Sequence, residues 1–528
     1  MATSDITMKP LGMRVKVLQV FRFVFASIFK IFCTLYYGKS GENFPPITAD
    51  ILKLPAVEVA NKIRNKEITS VEVLEACKQR IKDINSALNC FVEDRFELAL
   101  KEAKEADELI RGGTMTVEQL EKEKPFLGVP FTTKDCIAVK GLHHTSGVVL
   151  RKDVIATDDA VSIKLLRNKG AIIIGLTNVP ELCMWWETHN HIYGRTNNPY
   201  NTTRIVGGSS GGEGCIQGAA GSIFGVGSDI GGSIRMPAYF NGIFGHKPSR
   251  HVVSNEGQYP MPQTELLNSY LGLGPMTRHA VDLKPLLKIM SGDNASKLDL
   301  DKNVDVGKLK VFYQLSSNAP MTDSVDPEIT TALKKVVEFF SVKYKVEAEE
   351  KKFQFLQKSL PIWMTTMKNK EPFERLIMGK EGTTAIVLEI FKSLIGCSGN
   401  TLIGLFTALM DGAGAEIGSD KYNYHLKLRD DLEKIFVEML GDDGVFLYPT
   451  HPTTAPYHNE PLVKPFNFSY TAVINCLGLP ATTVPLGLSS EGLPIGIQVV
   501  ANHNNDRLCL AVAEELDKAF GGWVEPRH

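Results

Sequence analysis

Between Val206 and Arg235 the chain reads VGGSSGGEGCIQGAAGSIFGVGSDIGGSIR, glycine and serine set on an apolar skeleton. Glycine loses much backbone entropy on folding and adds no packing. Such a segment is either a flexible linker or backbone that must approach something closely. Gly/Ser linkers lack large apolar residues, whereas Val206, Ile216, Ile223, Phe224, Val226, Ile230 and Ile234 recur through this one. It therefore reads as folded backbone whose N–H groups and serine hydroxyls face a ligand. Two Gly-Gly-Ser settings within it end in Ser209 and Ser233.

Gly208-Ser209-Ser210-Gly211-Gly212 also fits G-x-S-x-G, the nucleophile elbow of α/β-hydrolases, with Ser210 as nucleophile. That elbow follows a strand, but the turn-rich Asn197-Asn198-Pro199-Tyr200-Asn201 leaves only Arg204-Ile205-Val206 before it. Ser210 is therefore expected to support the loop by hydrogen bonding. Asp229 and Arg235, which bracket the second serine, are read as scaffold.

Further elements recur in fixed order. Pro130-Phe131-Thr132-Thr133-Lys134-Asp135 lies upstream, and Gly245-His246-Lys247-Pro248 and Gly274-Pro275-Met276-Thr277-Arg278 follow. Phe446-Leu447-Tyr448-Pro449, Gly478-Leu479-Pro480 and Gly492-Leu493-Pro494-Ile495-Gly496-Ile497-Gln498 come near the end. In these elements the chain resembles the amidase signature family of serine hydrolases, and within it the membrane-associated fatty-acid amide hydrolases. The resemblance implies an α/β fold, a single large mixed twisted β-sheet covered by helices. It implies a Ser-Ser-Lys triad in which Ser233 is the nucleophile, Ser209 the bridging relay after a cis peptide bond, and Lys134 the base. It places the oxyanion on the N–H groups of Ile230, Gly231, Gly232 and Ser233. The Thr177–Cys183 stretch would line the acyl pocket, so Cys183 and Ser209 are expected to touch substrate.

The residues bear on that chemistry. Amide hydrolysis needs a nucleophile, a proton acceptor, an acid for the leaving amine and donors for the oxyanion. A lysine serves as base only where its charged form is disfavoured. Phe126, Leu127, Val129, Phe131 and Ile137 offer Lys134 apolar surroundings, and in an extended segment the Asp135 side chain points to the other face. A net charge of −2 gives no nucleic-acid signature. Nine scattered cysteines form no C-x-x-C pair, and no H-E-x-x-H, P-loop or dinucleotide fingerprint occurs, so no metal or cofactor is expected.

Residues 1–46 are expected to form a hydrophobic anchor and connection, and 47–528 the catalytic domain. Val15 to Tyr37 is rich in phenylalanine and isoleucine but carries Arg22 and Lys30. Its large apolar residues favour insertion by roughly 4 to 8 kcal/mol, nearly cancelled by the two basic residues at up to about 3 kcal/mol each. The segment could span a bilayer once, lie in its interface or enter a lipid monolayer; without a small-x-small site it reads as uncleaved.

Beyond it, Thr69 and Glu72 suggest a capping box. Strands are expected at Ala171–Ile174, Leu309–Tyr313, Val445–Tyr448 and Ile495–Val500, and a helix after Asp326-Pro327 with Ile329, Leu333 and Val336 inward. Ala385 to Met410 reads as two apolar helices broken at residues 396–400. They are either ordinary core or a cap admitting acyl chains from a membrane. Hydrolysis of fatty-acid amides, both primary amides and N-acyl amines, is the expected function. The alternatives are the glutamine-hydrolysing subunit of an amidotransferase, and a non-catalytic lipid-binding protein. The partners are then a lipid amide and a membrane or monolayer, with a homo-oligomer left open.

Overall fold

The computed structural model describes residues 13–38, 41–412 and 414–526. Its strands are β1 (Phe91–Asp94), β2 (Pro130–Lys134), β3 (Ile172–Thr177), β4 (His189–Asn190), β5 (Gly194–Arg195), β6 (Phe224–Asp229), β7 (Phe244–Lys247), β8 (Gly272–Thr277), β9 (Lys310–Tyr313), β10 (Glu349–Glu350), β11 (Gly444–Pro449), β12 (Ala481–Leu488) and β13 (Pro494–Ala501). Eleven make one mixed sheet in the order β1-β3-β2-β6-β8-β7-β12-β13-β11-β9-β10, while β4 and β5 form a small separate hairpin. The expected strands are all present, and the sheet is mixed as expected.

What matters for the site is the middle of this sheet. β2 runs parallel to both β3 and β6, with Phe131 opposite Phe224 and Thr133 opposite Val226. The Phe131 and Phe224 rings stack face to face, their centroids 5.0 Å apart. Because β2 and β6 are parallel, their C-terminal ends emerge at the same edge, and Lys134 and Asp229 end them there. Ligand sites of α/β sheets gather outside such carboxyl ends. The covering helices obey the expected local signals. Thr69 and Glu72 close a reciprocal capping box on the Ser70–Leu88 helix. Pro327 opens the Pro327–Phe339 helix, which buries Ile329, Ala332, Leu333 and Val336.

Two segments differ from an ordinary helix cover. The Thr383–Leu394 and Leu402–Gly412 helices are separated as expected, but they bury only Ile386, Gly404, Leu405 and Ala408. Leu388, Phe391, Leu394 and Ile395 stand out into solvent, Ile395 with 74% of its surface exposed. The pair is therefore not ordinary core.

The Met13–Tyr37 helix is clamped along one face. Gln19 donates to the Pro320 carbonyl at 2.8 Å, and Arg22 donates to Asp323 Oδ1 and to the Thr322 carbonyl, each at 2.9 Å. Ala26 and Cys33 are buried on the same face, and Tyr37 stacks on Tyr457 with centroids 6.0 Å apart. Phe21, Phe23, Ile28, Ile31 and Leu35 point outward, Leu35 80% exposed. Among the described residues no helix is long and apolar enough to cross a membrane. Arg22, one of the two basic residues that together nearly cancel insertion on sequence grounds, is engaged in a tertiary ion pair.

Candidate active site

β2 delivers Lys134 fully buried. Its Nζ donates to Ser209 Oγ at 2.9 Å and to Ser228 Oγ at 3.0 Å. No carboxylate lies within ion-pair distance of it among the described residues. Asp135 faces away, as the strand geometry requires, accepting from the Thr145 and Gly147 N–H groups at 3.1 and 3.2 Å. Ser228 was not visible from sequence reasoning: it is the penultimate residue of β6 and reaches Lys134 only through lateral strand pairing.

Ser209 follows a cis Gly208–Ser209 peptide, as the resemblance implies. Gly208 lies so close to the neighbouring chain that a Cβ on it would fall 2.4 Å from the Trp185 carbonyl oxygen. Ser210 takes the supporting role. Its N–H donates to the Ser233 carbonyl at 3.1 Å, and its hydroxyl bonds to the Ser228 backbone, accepting from the N–H and donating to the carbonyl at 3.3 Å each. The Lys134–Ser209 bond and the Ser210 bridge thus join the two Gly-Gly-Ser settings. Ser233 Oγ has no hydrogen-bond partner among the described residues, so the bonded chain runs from lysine to Ser209 and stops short of the second serine.

The loop 230–233 is held from behind. Fully buried Asp229 and Arg235 pair at 3.0 Å, and Arg235 also donates to Gln498 at 2.8 Å. Burial alone would raise the Asp229 pKa, but the Arg235 guanidinium and Asn475 amide hold it well below the usual carboxylate range. Asp229 accepts from the Gly232, Ile234 and Arg235 N–H groups at 2.6, 3.1 and 3.3 Å. Thr471 donates to the Gly231 carbonyl at 2.8 Å, and Trp363 Nε1 to the Ile230 carbonyl at 3.0 Å. With those carbonyls tied back, the N–H groups of Ile230, Gly231 and Ser233 engage no acceptor among the described residues. Gly232 departs from the expected donor set, because its N–H is taken by Asp229. Its φ of +122° and the Thr471 hydroxyl 2.0 Å from where a Cβ would sit make glycine obligatory there.

Two cavities meet at this loop, and Cys183, Met184, Ile230 and Ser233 line both. One, about 730 Å³, also has Ser209 and Ser228 on its wall together with Gln258, Asn369, Glu371 and Asp411. The other, about 1410 Å³ with its open mouth, is walled by Trp185, Trp186, Trp363, Phe406, Phe466 and Phe468. Ile403, Phe406, Thr407 and Met410 bring the Leu402–Gly412 helix to that second wall. Of the Thr177–Cys183 stretch, only Leu182 and Cys183 line these cavities, both in the left-handed region with φ of 51° and 57°. Among the described residues no histidine lines either cavity; His246 is buried between Thr482 and Asp506, at 2.8 and 3.1 Å, as part of the scaffold. The described residues hold no cluster of metal-binding side chains.

Comparison with known proteins accords with this arrangement. The sequence profile of the Amidase family matches residues 72–510. Fatty-acid amide hydrolase 2-B of Danio rerio is 47% identical over 495 residues, covering 92% of this chain and 93% of that protein. A glutamyl-tRNA(Gln) amidotransferase subunit of Lachnospira eligens is a more distant relative, 29% identical over 89% of this chain and 99% of its own length. Among solved structures, a fatty acid amide hydrolase superposes with a TM-score of 0.73 at 24% identity, over 92% of this chain and 87% of that one, a likeness of fold.

Proposed function

The chain belongs to the amidase family, and from that membership we propose that it hydrolyses fatty-acid amides, releasing free fatty acid and ammonia or an amine. The observation that carries the reading is the buried Lys134–Ser209 hydrogen bond at 2.9 Å, on the wall of a cavity that Ser233 shares. Ser233 attacks the amide carbonyl as Ser209 takes its proton and passes its own to Lys134 Nζ. Catalytic hydrogen bonds shorten once the reacting groups are in place, which is how the Ser209–Ser233 step closes. The tetrahedral oxyanion is received by the N–H groups of Ile230, Gly231 and Ser233, each donor being worth about 2.7–4 kcal/mol of barrier. The proton returns through Ser209 to the leaving nitrogen, and water repeats the sequence on the acyl-enzyme.

The aromatic second cavity supports a long acyl chain, since each buried methylene adds about 0.8 kcal/mol. Glutamine would gain little from such walls, and the higher identity to the fatty-acid amide hydrolase points the same way. A non-catalytic lipid carrier would have no use for a lysine buried against two hydroxyls. Membrane association belongs to the same proposal. The outward face of the Met13–Tyr37 helix and the exposed faces of the Thr383–Leu394 and Leu402–Gly412 helices would rest on a lipid surface, giving monotopic binding.

The test is hydrolysis of oleamide and of glutamine by the full chain, with Ser233→Ala and Lys134→Ala alongside. Release of oleic acid without glutaminase activity, and loss of fluorophosphonate labelling in a folded Ser233→Ala variant, is the expected result. Glutamine hydrolysis with no oleamide turnover would overturn it.

A further inference from the structure

Glu181 lies two residues before Cys183 yet lines neither of the cavities that meet at Ser233. Its carboxylate turns the other way, into the break between the two exposed apolar helices. Oε1 accepts from Asn400 Nδ2 at 3.0 Å, and Oε2 accepts from the Thr401 N–H at 2.8 Å and the Thr401 hydroxyl at 2.6 Å. Only 4% of Glu181 is exposed, and no cation pairs with it among the described residues. Burying a carboxylate without a counter-charge is costly unless hydrogen bonds replace its water. Here the replacement comes from a helix start, since Thr401 immediately precedes the Leu402–Gly412 helix and its hydroxyl accepts from the Gly404 N–H at 3.0 Å. An anion at that end is further favoured by the helix dipole.

The fit is close on both sides. A Cβ on Gly404 would fall 2.3 Å from Glu181 Oε2, so the helix carries its glycine where the carboxylate enters. Asn400 also donates to the Ile377 carbonyl at 2.9 Å, joining the Phe373–Met378 helix to the same point. On the other side of Glu181 the chain is stiff: the Leu182 N–H donates to the Ser146 carbonyl at 2.8 Å, and Leu182 and Cys183 hold their left-handed conformations. One carboxylate therefore joins the turn beside the nucleophile to the helix whose Ile403, Phe406 and Met410 wall the second cavity.

We propose that Glu181 is a positioning residue that pins the Leu402–Gly412 helix over the second cavity and thereby sets the preference for long acyl chains. This rests on the fatty-acid amide reading of the site for its substrate class, though not for the pin itself. A long chain reaches the cap helix and depends on the pin; a short one ends near Cys183 and does not.

The experiment compares kcat and KM of the full chain for oleamide and hexanamide in wild type, Glu181→Gln and Thr401→Val. It adds hydrogen–deuterium exchange over 383–412. Glu181→Gln keeps the shape but turns one carboxylate oxygen into an NH2 that faces either the Asn400 donor or the two Thr401 donors, and it removes the charge. The oleamide-to-hexanamide ratio of kcat/KM is expected to fall about tenfold, the effect of losing a charge-assisted hydrogen bond, chiefly through KM. Exchange over 400–412 should accelerate while β2 and β6 remain protected. Thr401→Val, which removes one donor and leaves the charge, should shift both readouts the same way by less. Equal loss on both amides with unchanged exchange would overturn the pin, as would an unchanged ratio. Wild-type turnover of neither amide would instead overturn the fatty-acid amide reading, and exchange would still judge the pin.

Discussion

At the scale of single residues the site depends on what surrounds one amine. Lys134 touches two hydroxyls, and only one of them belongs to the triad read from sequence. Ser228→Ala removes the second acceptor without touching Ser233, so kcat for oleamide is expected to fall about tenfold with KM little changed; steady-state kinetics checks this. Asp229 supports the loop through a fully buried ion pair. Asp229→Asn leaves Arg235 buried without its counter-charge, at a cost of about 3–5 kcal/mol, to be read as a lowered midpoint in thermal or urea unfolding. The sign of its pH dependence follows from the depressed carboxyl. Its stabilisation is complete above the ordinary aspartate value of 3.8 and is lost as pH falls below that toward the folded-state value. Asp229→Asn should therefore flatten the acid limb of the stability curve. Lys134, Ser209 and Ser233 could be named from sequence because the family's motifs fix them by order, and the structure bonds the first two and sets the last two on one cavity wall. Ser228, Trp363 and Thr471 were not: nothing local marks them, and each acts on the site across a strand pair or from more than a hundred residues further along the chain.

At the scale of elements, the loop 230–233 is a donor cluster made by tying its carbonyls backward. Gly232→Ala would need a strained φ of +122° and would strike Thr471, so the loop must move. Such a variant is expected to lose about a hundredfold or more in kcat while folding well enough to retain its tertiary circular dichroism. Sequence patterning identified β3, β9, β11 and β13 and the two apolar helices after residue 383, because hydrophobic spacing reports secondary structure; the glycine-rich β6 that leads into this loop carries no such signal. Patterning could not say whether those helices were inside. Apolar residues look alike in a core and on an interaction face, and only their exposure in the folded chain separates the two. The exposed Phe391 and Leu394 give the corresponding test. Phe391→Asp with Leu394→Asp should weaken binding to phosphatidylcholine vesicles several-fold in co-sedimentation, with hexanamide hydrolysis in detergent unchanged within about twofold.

On the scale of the whole molecule, one mixed sheet brings Lys134 and Ser228 to the same edge, and segments from the far half of the chain seal the loop around Ser233. The N-terminal helix is part of this body, through Arg22 and Asp323 and through Tyr37 on Tyr457. Arg22→Ala should release it, so that limited proteolysis cuts ahead of residue 46 in the variant and not in the wild type, with hydrolysis of hexanamide retained.

That helix packs against the Glu460–Val463 turn, whose Leu462 also walls the aromatic cavity. A clamped helix cannot swivel, so any layer it rests upon meets the body at one fixed angle. Encounters with a poorly soluble amide then become a sideways search in two dimensions. Turnover should follow the mole fraction of amide within the layer, and diluting that layer with inert lipid should slow the reaction even when the total amount of amide in the tube is held constant.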